Sequence, residues 1–306
     1  MEKILNAFKN LYKGENICKT HWMIAALFIL PCMAASIVQY IDKDTPELII
    51  PLAALAGVFL ILSIIPLFAL AGFYFKFLNM RLTQAEGLPA LDLDCIKTGL
   101  KSFPVTFAWT LYIGIPVAIY VGLVMFGCIG GIIATKANPL ASIAAIFVMF
   151  GLLLLLFIPI FIINPFVLHL YIKFSEDFEY RAELFNPLTI FKYMKKAFKE
   201  SMLVALKFIV VSMVTSFASQ ILVFVCVIFL FVFGFIFALF TPDNANPVAA
   251  PAFIITVIIG STIAGMISAY VSWLTSLAFA DNLEYVYRDI ISIPDKEDTQ
   301  EDLDNE

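Results

Sequence analysis

The sequence predicts an all-α membrane protein with six transmembrane helices, and three observations lead there. The chain is 62% hydrophobic and only 14% charged, with a mean hydropathy of +0.96. Charges are missing from six long blocks: residues 20–41, 48–75, 104–135, 137–172, 208–242 and 244–280. Each block exceeds the roughly 20 apolar residues that a helix needs to cross about 30 Å of hydrocarbon. Blocks such as FVMFGLLLLLFIPIFII (147–163) are apolar on every side. That excludes the alternating strands of a closed barrel, the only other spanning solution.

Each element can be justified in chain order. Ahead of the first block, Ile4, Ala7, Phe8, Leu11 and Tyr12 recur at helical spacing, with Lys3, Asn6, Lys9, Asn10 and Lys13 opposite. This is an amphipathic helix, expected to lie flat in the inner interface. It leads into a block of spanning length, so the N-terminus does not read as a cleavable signal peptide. Pro31 stands where a lipoprotein signal before Cys32 needs a small residue.

Blocks one and two make a hairpin, followed by the polar stretch AEGLPALDLDCIKTGLKSF (85–103). Within it Ile96, Gly99, Leu100 and Phe103 share one helical face, and Lys97, Thr98, Lys101 and Ser102 the other. Asp92 or Asp94 is placed to cap its start. Blocks three and four follow, and then a third such segment: Ile190, Met194, Ala197 and Phe198 against Lys192, Lys195, Lys196 and Lys199. Blocks five and six close the set. Pro66, Pro116, Pro159, Pro165 and the Gly130–Gly131 pair are candidate kinks in these long blocks.

The three amphipathic segments end alike, in AFKN (7–10), GLKS (99–102) and AFKE (197–200), and blocks two and four exit through YFKF (74–77) and YIKF (171–174). The expected unit is an interfacial helix followed by a transmembrane hairpin, repeated three times over about 1–80, 81–178 and 179–290. These form a single membrane domain, 1–290. The end, 291–306, contains DKEDTQEDLDNE with seven acidic residues and is expected to be disordered.

Orientation follows from the basic residues. Seventeen of the 19 fall in the N-terminal segment, in the connections between blocks two and three and between four and five, or after block six. Only Lys43 and Lys136 lie in the alternate connections. The positive-inside rule then places both termini in the cytosol of a cell whose inner or plasma membrane holds the protein. Trp22, Trp109 and Trp273 fall toward the same ends, as an interfacial aromatic belt would place them.

The run GFYFKFLNMRLTQAEGLPALDLDCIKTGLK (72–101) resembles an uncharacterised family of prokaryotic multi-pass membrane proteins, domain of unknown function 4013. The matching positions are Gly72, Tyr74, Arg81, Glu86, Gly87, Leu88, Pro89, Asp92, Gly99 and Leu100, while Leu91 stands where that family often carries tryptophan. The resemblance covers about 30 residues. It implies a polytopic membrane fold and supplies no activity.

Chemistry is sparse. The five cysteines show no metal or disulfide spacing, and no G-x-S-x-G, H-E-x-x-H or P-loop pattern occurs. His21 and His169 lie near span ends and read as interfacial hydrogen-bonding groups, not as metal ligands or proton carriers. The acidic run SEDFEYRAE (175–183) reads as a solvated face beside Arg181 and Lys173. Hydroxyls in block five (Ser212, Thr215, Ser216, Ser219, with Gln220) and block six (Ser261, Thr262, Ser268, Ser272, Thr275, Ser276) suit close helix packing, or a path for a polar solute.

The expectation is therefore a membrane protein that is not an enzyme and carries no cofactor or metal. Its basic helices would engage anionic lipid of the inner leaflet through Lys192, Lys195, Lys196, Lys199, Lys97 and Lys101, or organise a membrane partner or a second copy. Nothing points to nucleic acid. The alternative is a small transporter for an uncharged or lipid-like substrate, using the hydroxyl faces of blocks five and six. Reporters fused after residues 43, 137 and 245 should register outside, and after 90, 185 and 295 in the cytosol. A cytosolic signal at 245 would break the six-span threading.

Overall fold

The computed structural model describes residues 2–13, 17–39, 46–134, 139–240 and 246–292. Lys43, Lys136 and the acidic stretch from 293 onward lie outside these residues. Among the described residues every regular element is helical. Helix α1 spans Glu2–Leu11, α2 Ile17–Leu27, α3 Ile29–Gln39, α4 Pro46–Leu82, α5 Leu93–Ala134 and α6 Pro139–Ser175. A 3-10 turn at Ala182–Phe185 precedes α7 (Pro187–Phe240) and α8 (Asn246–Val286), which ends in a π-turn, Tyr287–Ile291. Among the described residues six stretches are long and apolar enough to cross a membrane: Ile17–Gln39, Ile49–Leu82, Leu93–Gly131, Ser142–Ser175, Pro187–Leu230 and Thr256–Ile291.

The helix ends follow local chemistry. Asp92 caps α5, its Oδ1 accepting the backbone N–H of Cys95 at 3.1 Å. Asn186 caps α7 by accepting from the Leu188 N–H at 3.0 Å, with Pro187 at the first helical position. Helix α4 stops in paired bonds, Ala85 N–H to the Met80 carbonyl (3.0 Å) and Gln84 N–H to Arg81 (2.8 Å). That pattern needs a left-handed residue, and Gln84 supplies it with φ 59°. Helix α6 stops in the simpler form, with Phe178 at φ 58° donating to the Phe174 carbonyl at 2.9 Å.

Two of the expected interfacial helices are not separate elements. Residues 93–103 are the first turns of α5, which runs on through Pro104. The face they bury is also rotated from the expected one. Cys95, Gly99 and Ser102 are buried, whereas Leu100 and Phe103 are exposed. In lipid, large apolar side chains gain nothing by leaving the hydrocarbon, so the smallest residues choose the packed face. Segment 187–196 opens α7, but the helix breaks at Ala197 (φ −132°, ψ 24°). Helix α1 stands alone, and its Ile4, Ala7 and Leu11 face is buried against protein.

The described residues form two compact units, one within Met1–Leu100 and Leu206–Asn282, the other within Lys101–Ala205 and 283–292. In the first, α3 packs along α4, and Phe73, Phe75, Phe77 and Leu78 of α4 are buried with Ile24 and Ile37. Phe73 packs on Trp273 and Phe208 on Phe279, with ring centroids 5.4 and 5.1 Å apart. In the second, Phe166, Leu170, Ile172 and Phe174 of α6 are buried with Val105 and Trp109 of α5. Trp109 thus departs from the expected aromatic belt: its indole N–H donates to the Leu184 carbonyl at 2.7 Å inside the protein. Trp22, 74% exposed, keeps the surface position expected of it.

The first unit contains a backbone-to-backbone crossing of α4 and α5. A Cβ at Gly72 would lie 1.6 Å from the Cys95 carbonyl oxygen, and one at Gly99 would lie 2.0 Å from that of Phe68. Gly72→Ala or Gly99→Ala must therefore push the helices apart. Each should cost about 1–3 kcal/mol as an overpacking change, read as a lower melting temperature in detergent. Gly57→Ala and Gly114→Ala, where a Cβ meets nothing within 4 Å, should leave melting unchanged or raise it slightly.

Candidate functional site

Polar side chains gather at the ends of spans, and each unit builds one such cluster. In the first unit the stretch 83–91 is folded over the end of α4 by Arg81. Its Nη1 donates to the Ala85 carbonyl at 2.7 Å and its Nη2 to the Gly87 carbonyl at 3.2 Å. Gly87 adopts φ 90°, which favours glycine there. The guanidinium lies over the Phe77 ring, 4.8 Å from its centroid. Its Nε sits 2.8 Å from Oδ1 of Asp281 on α8, with side chains only 5% and 15% exposed. That N–H is not directed as in a hydrogen bond, so the contact is ionic.

The same stretch is tied at both ends. Lys13, just past α1, pairs with Glu86 at 2.8 Å, and Lys76 of α4 pairs with Asp92 at 2.7 Å. The Lys13 bond holds the Glu86 carboxyl below its usual range, and the Lys76 bond does so for Asp92. His21 fastens α1 itself. Its Nε2 lies 3.2 Å from the Leu11 carbonyl, which can only accept, so Nε2 carries the proton and Nδ1 accepts from the Tyr270 hydroxyl. Tyr12 stacks on the imidazole with centroids 4.8 Å apart.

The second unit has a parallel arrangement. Lys173, the counterpart of Lys76 in the YFKF and YIKF echo, pairs with Glu183 at 2.6 Å. This bond draws the Glu183 carboxyl below its usual range, helped by the charges of Lys192 and Arg181. Arg181 pairs with Asp177 and approaches Glu176 at 3.8 Å, and Glu176 accepts the Tyr287 hydroxyl at 2.8 Å. The acidic run 175–183 is thus largely paired within its own unit.

Deeper along α6, His169 is fully buried, its Nε2 2.9 Å from Oγ of Ser201 on α7. Tyr287 stacks on its ring at 6.2 Å and Tyr193 meets it edge-on at 6.4 Å. Its Nδ1 has no hydrogen-bond partner among the described residues. A hydrogen-bonding histidine was expected here, but at an exposed boundary and not inside the protein.

The expected lipid-binding lysines fall on two segments. Lys192, Lys195 and Lys199 are exposed and Lys196 half-buried along the first turns of α7. Lys97 and Lys101 are exposed on the first turns of α5, with Lys97 paired to Asp94 at 3.0 Å. Beside the α7 lysines, Leu188 and Phe191 are 63% and 65% exposed. Ile190, Tyr193 and Ala197 face inward.

Half of the hydroxyls singled out on α7 and α8 bond within their own helix. Ser261, Thr262 and Ser276 bond carbonyls four residues back in their own helix. Thr275 lies 2.9 Å from the Val271 carbonyl and 3.2 Å from Thr215 Oγ1 across the helix pair. Ser216, Ser268, Ser272 and Ser276 are exposed. No protein-family model, curated protein or solved structure matches this chain.

The Arg81–Asp281 pair escaped sequence reasoning, although Asp281 is the first charge after the uncharged block 244–280. Asp281→Ala would leave a buried guanidinium without its counter-charge, a loss on the order of 3–5 kcal/mol. Melting temperature should fall sharply, and amide exchange should rise across 83–91. Lys13→Ala, which removes a pair with side chains 48% and 64% exposed, should leave the melting temperature close to that of the unsubstituted protein. Equal effects from the two variants would remove Arg81–Asp281 from its role as the main fastening.

Proposed function

We propose that this chain is a multi-pass protein of the inner or plasma membrane, with its termini and the connections around 76–103 and 173–207 in the cytosol. Its work is non-enzymatic: the basic segments at those connections engage anionic lipid. The observation that carries the reading is the outward face of α7 around Ala197. There Lys192 and Lys195 before the bend, and Lys199 just after it, stand exposed near exposed Leu188 and Phe191, while the opposite face is packed on protein. A surface with cations on one flank and bare apolar side chains on the other suits the boundary between headgroups and acyl chains. Each lysine near anionic lipid contributes about 1 kcal/mol.

The proposal includes the repeat and the family resemblance. Support for the repeat comes from paired features in the two units: Lys76–Asp92 and Lys173–Glu183 ion pairs after alike exits, and left-handed residues closing both α4 and α6. Transport along the hydroxyl faces has less support, because half of those groups bond their own helices and all but one of the others lie exposed. The α1 segment also differs from a free interfacial helix, since its apolar face is already buried.

The quadruple variant Lys192→Gln, Lys195→Gln, Lys196→Gln, Lys199→Gln tests the reading. The connection keeps Lys173, Arg181 and Lys207, so threading should survive. Anionic lipid co-purifying with the protein, measured by mass spectrometry, should fall, and high salt should produce the same loss in the unsubstituted protein by screening. Unchanged lipid composition would reduce these lysines to topology signals.

A further inference from the structure

Helix α7 bends where its sequence offers no reason to. The run KYMKKAFKES (192–201) has neither proline nor glycine, yet Ala197 leaves helical geometry. Alanine is the best helix former, so local preference favours an unbroken helix through this point. A bend without a breaker residue must be imposed by tertiary contact.

The contacts that could impose it converge from α6. His169 reaches Ser201, four residues beyond the bend, at 2.9 Å, and meets the ring of Tyr193, four residues before it. Phe166, one turn earlier on α6, stacks on Phe198 with rings 8° from parallel. Alpha-6 therefore grips α7 on both sides of Ala197. The other unit supplies the contrast. Gly72 stands four residues before Lys76 as His169 stands four before Lys173, and there α5 passes the crossing unbroken. Where the first unit lets two backbones touch, the second inserts an imidazole.

That imidazole has a cost, because its Nδ1 is buried without a hydrogen-bond partner among the described residues. An apolar side chain of similar volume would fill the same space without an orphaned nitrogen. What histidine adds is the directed bond to Ser201. We propose that His169 is a positioning residue: by holding Ser201 and Tyr193 it keeps α7 bent at Ala197, and so presents Lys192 and Lys195, on the segment before the bend, to anionic lipid. The inference rests on the lipid-engaging reading above.

The test uses the full chain in nanodiscs of mixed zwitterionic and anionic phospholipid, comparing His169→Phe, Ser201→Ala and Ser201→Thr. The chain has two histidines, so selective 15N-histidine labelling reads the bond directly. Ser201→Ala should shift the His169 signal and leave that of His21 in place. Anionic-lipid enrichment should drop about fivefold in His169→Phe and Ser201→Ala, the change one hydrogen bond of ordinary net strength supports. Ser201→Thr, which retains the hydroxyl, should keep it. Amide exchange across 187–200 should rise in the first two variants only. Should His169→Phe fail to fold, the Ser201 pair alone decides.

Enrichment and exchange unchanged in Ser201→Ala would overturn the proposal. If the unsubstituted protein shows no enrichment, the lipid reading fails. The hinge is then judged by exchange alone, and equal exchange in Ser201→Ala and Ser201→Thr would overturn it.

Discussion

An ion in hydrocarbon has neither water nor a ready counter-charge, and burying it there costs several kcal/mol. The described helices meet that cost by keeping their middles free of charge, and several of the charges at their ends are paired. Lys13 with Glu86, Lys76 with Asp92, Arg81 with Asp281 and Lys173 with Glu183 all belong to span ends or the segments between spans. Because these pairs link residues distant in sequence, the same cost that excludes charge from the spans also ties the connections down. The stretch 83–91 is shaped by this: one arginine satisfies two of its carbonyls and an aspartate on another helix at once.

Once charge is confined to the ends, packing along the spans follows a rule unlike that of a soluble core. The hydrocarbon around the protein is as apolar as leucine, so large side chains have no drive inward. Leu100, Phe103 and Phe191 point out, while Gly72, Gly99, Cys95 and Ser102 hold the contacts. Close approach of backbones then does what hydrophobic burial does elsewhere, and a single methyl group at Gly72 is enough to disturb it. The hydroxyl-rich faces of α7 and α8 fit the same economy: half of the hydroxyls singled out there return to their own helices, and Thr275 with Thr215 bridges two.

The two units solve one crossing in two ways. The first makes room with glycine, the second with a bend and a buried histidine. The consequence differs at the surface. Helix α5 carries Lys97 and Lys101 on its first turns without a break, whereas α7 carries Lys192 and Lys195 on a segment set off by the break at Ala197. A surface basic patch and a buried imidazole are thereby linked through Ser201 and Tyr193.

Periodicity and charge were enough to determine, from the sequence alone, the helical class, six stretches long and apolar enough to span, a helix start at Asp92 or Asp94 and the basic character of the connections. Those properties depend on the transfer cost of residues taken one at a time, which composition records directly. The buried face of 93–103, the inward turn of Trp109, the burial of His169, the bend at Ala197 and the Arg81–Asp281 pair were decided only by the tertiary structure. Each depends on which atoms meet across helices, and amphipathic spacing misleads there because it assumes that large apolar residues choose the packed face. Arg81 and Asp281 are 200 positions apart, and nothing local to either names the other. His169 looked like a boundary group because Lys173 follows one turn later; whether the ring turned to water or to Ser201 was settled by the helix that came to lie against it.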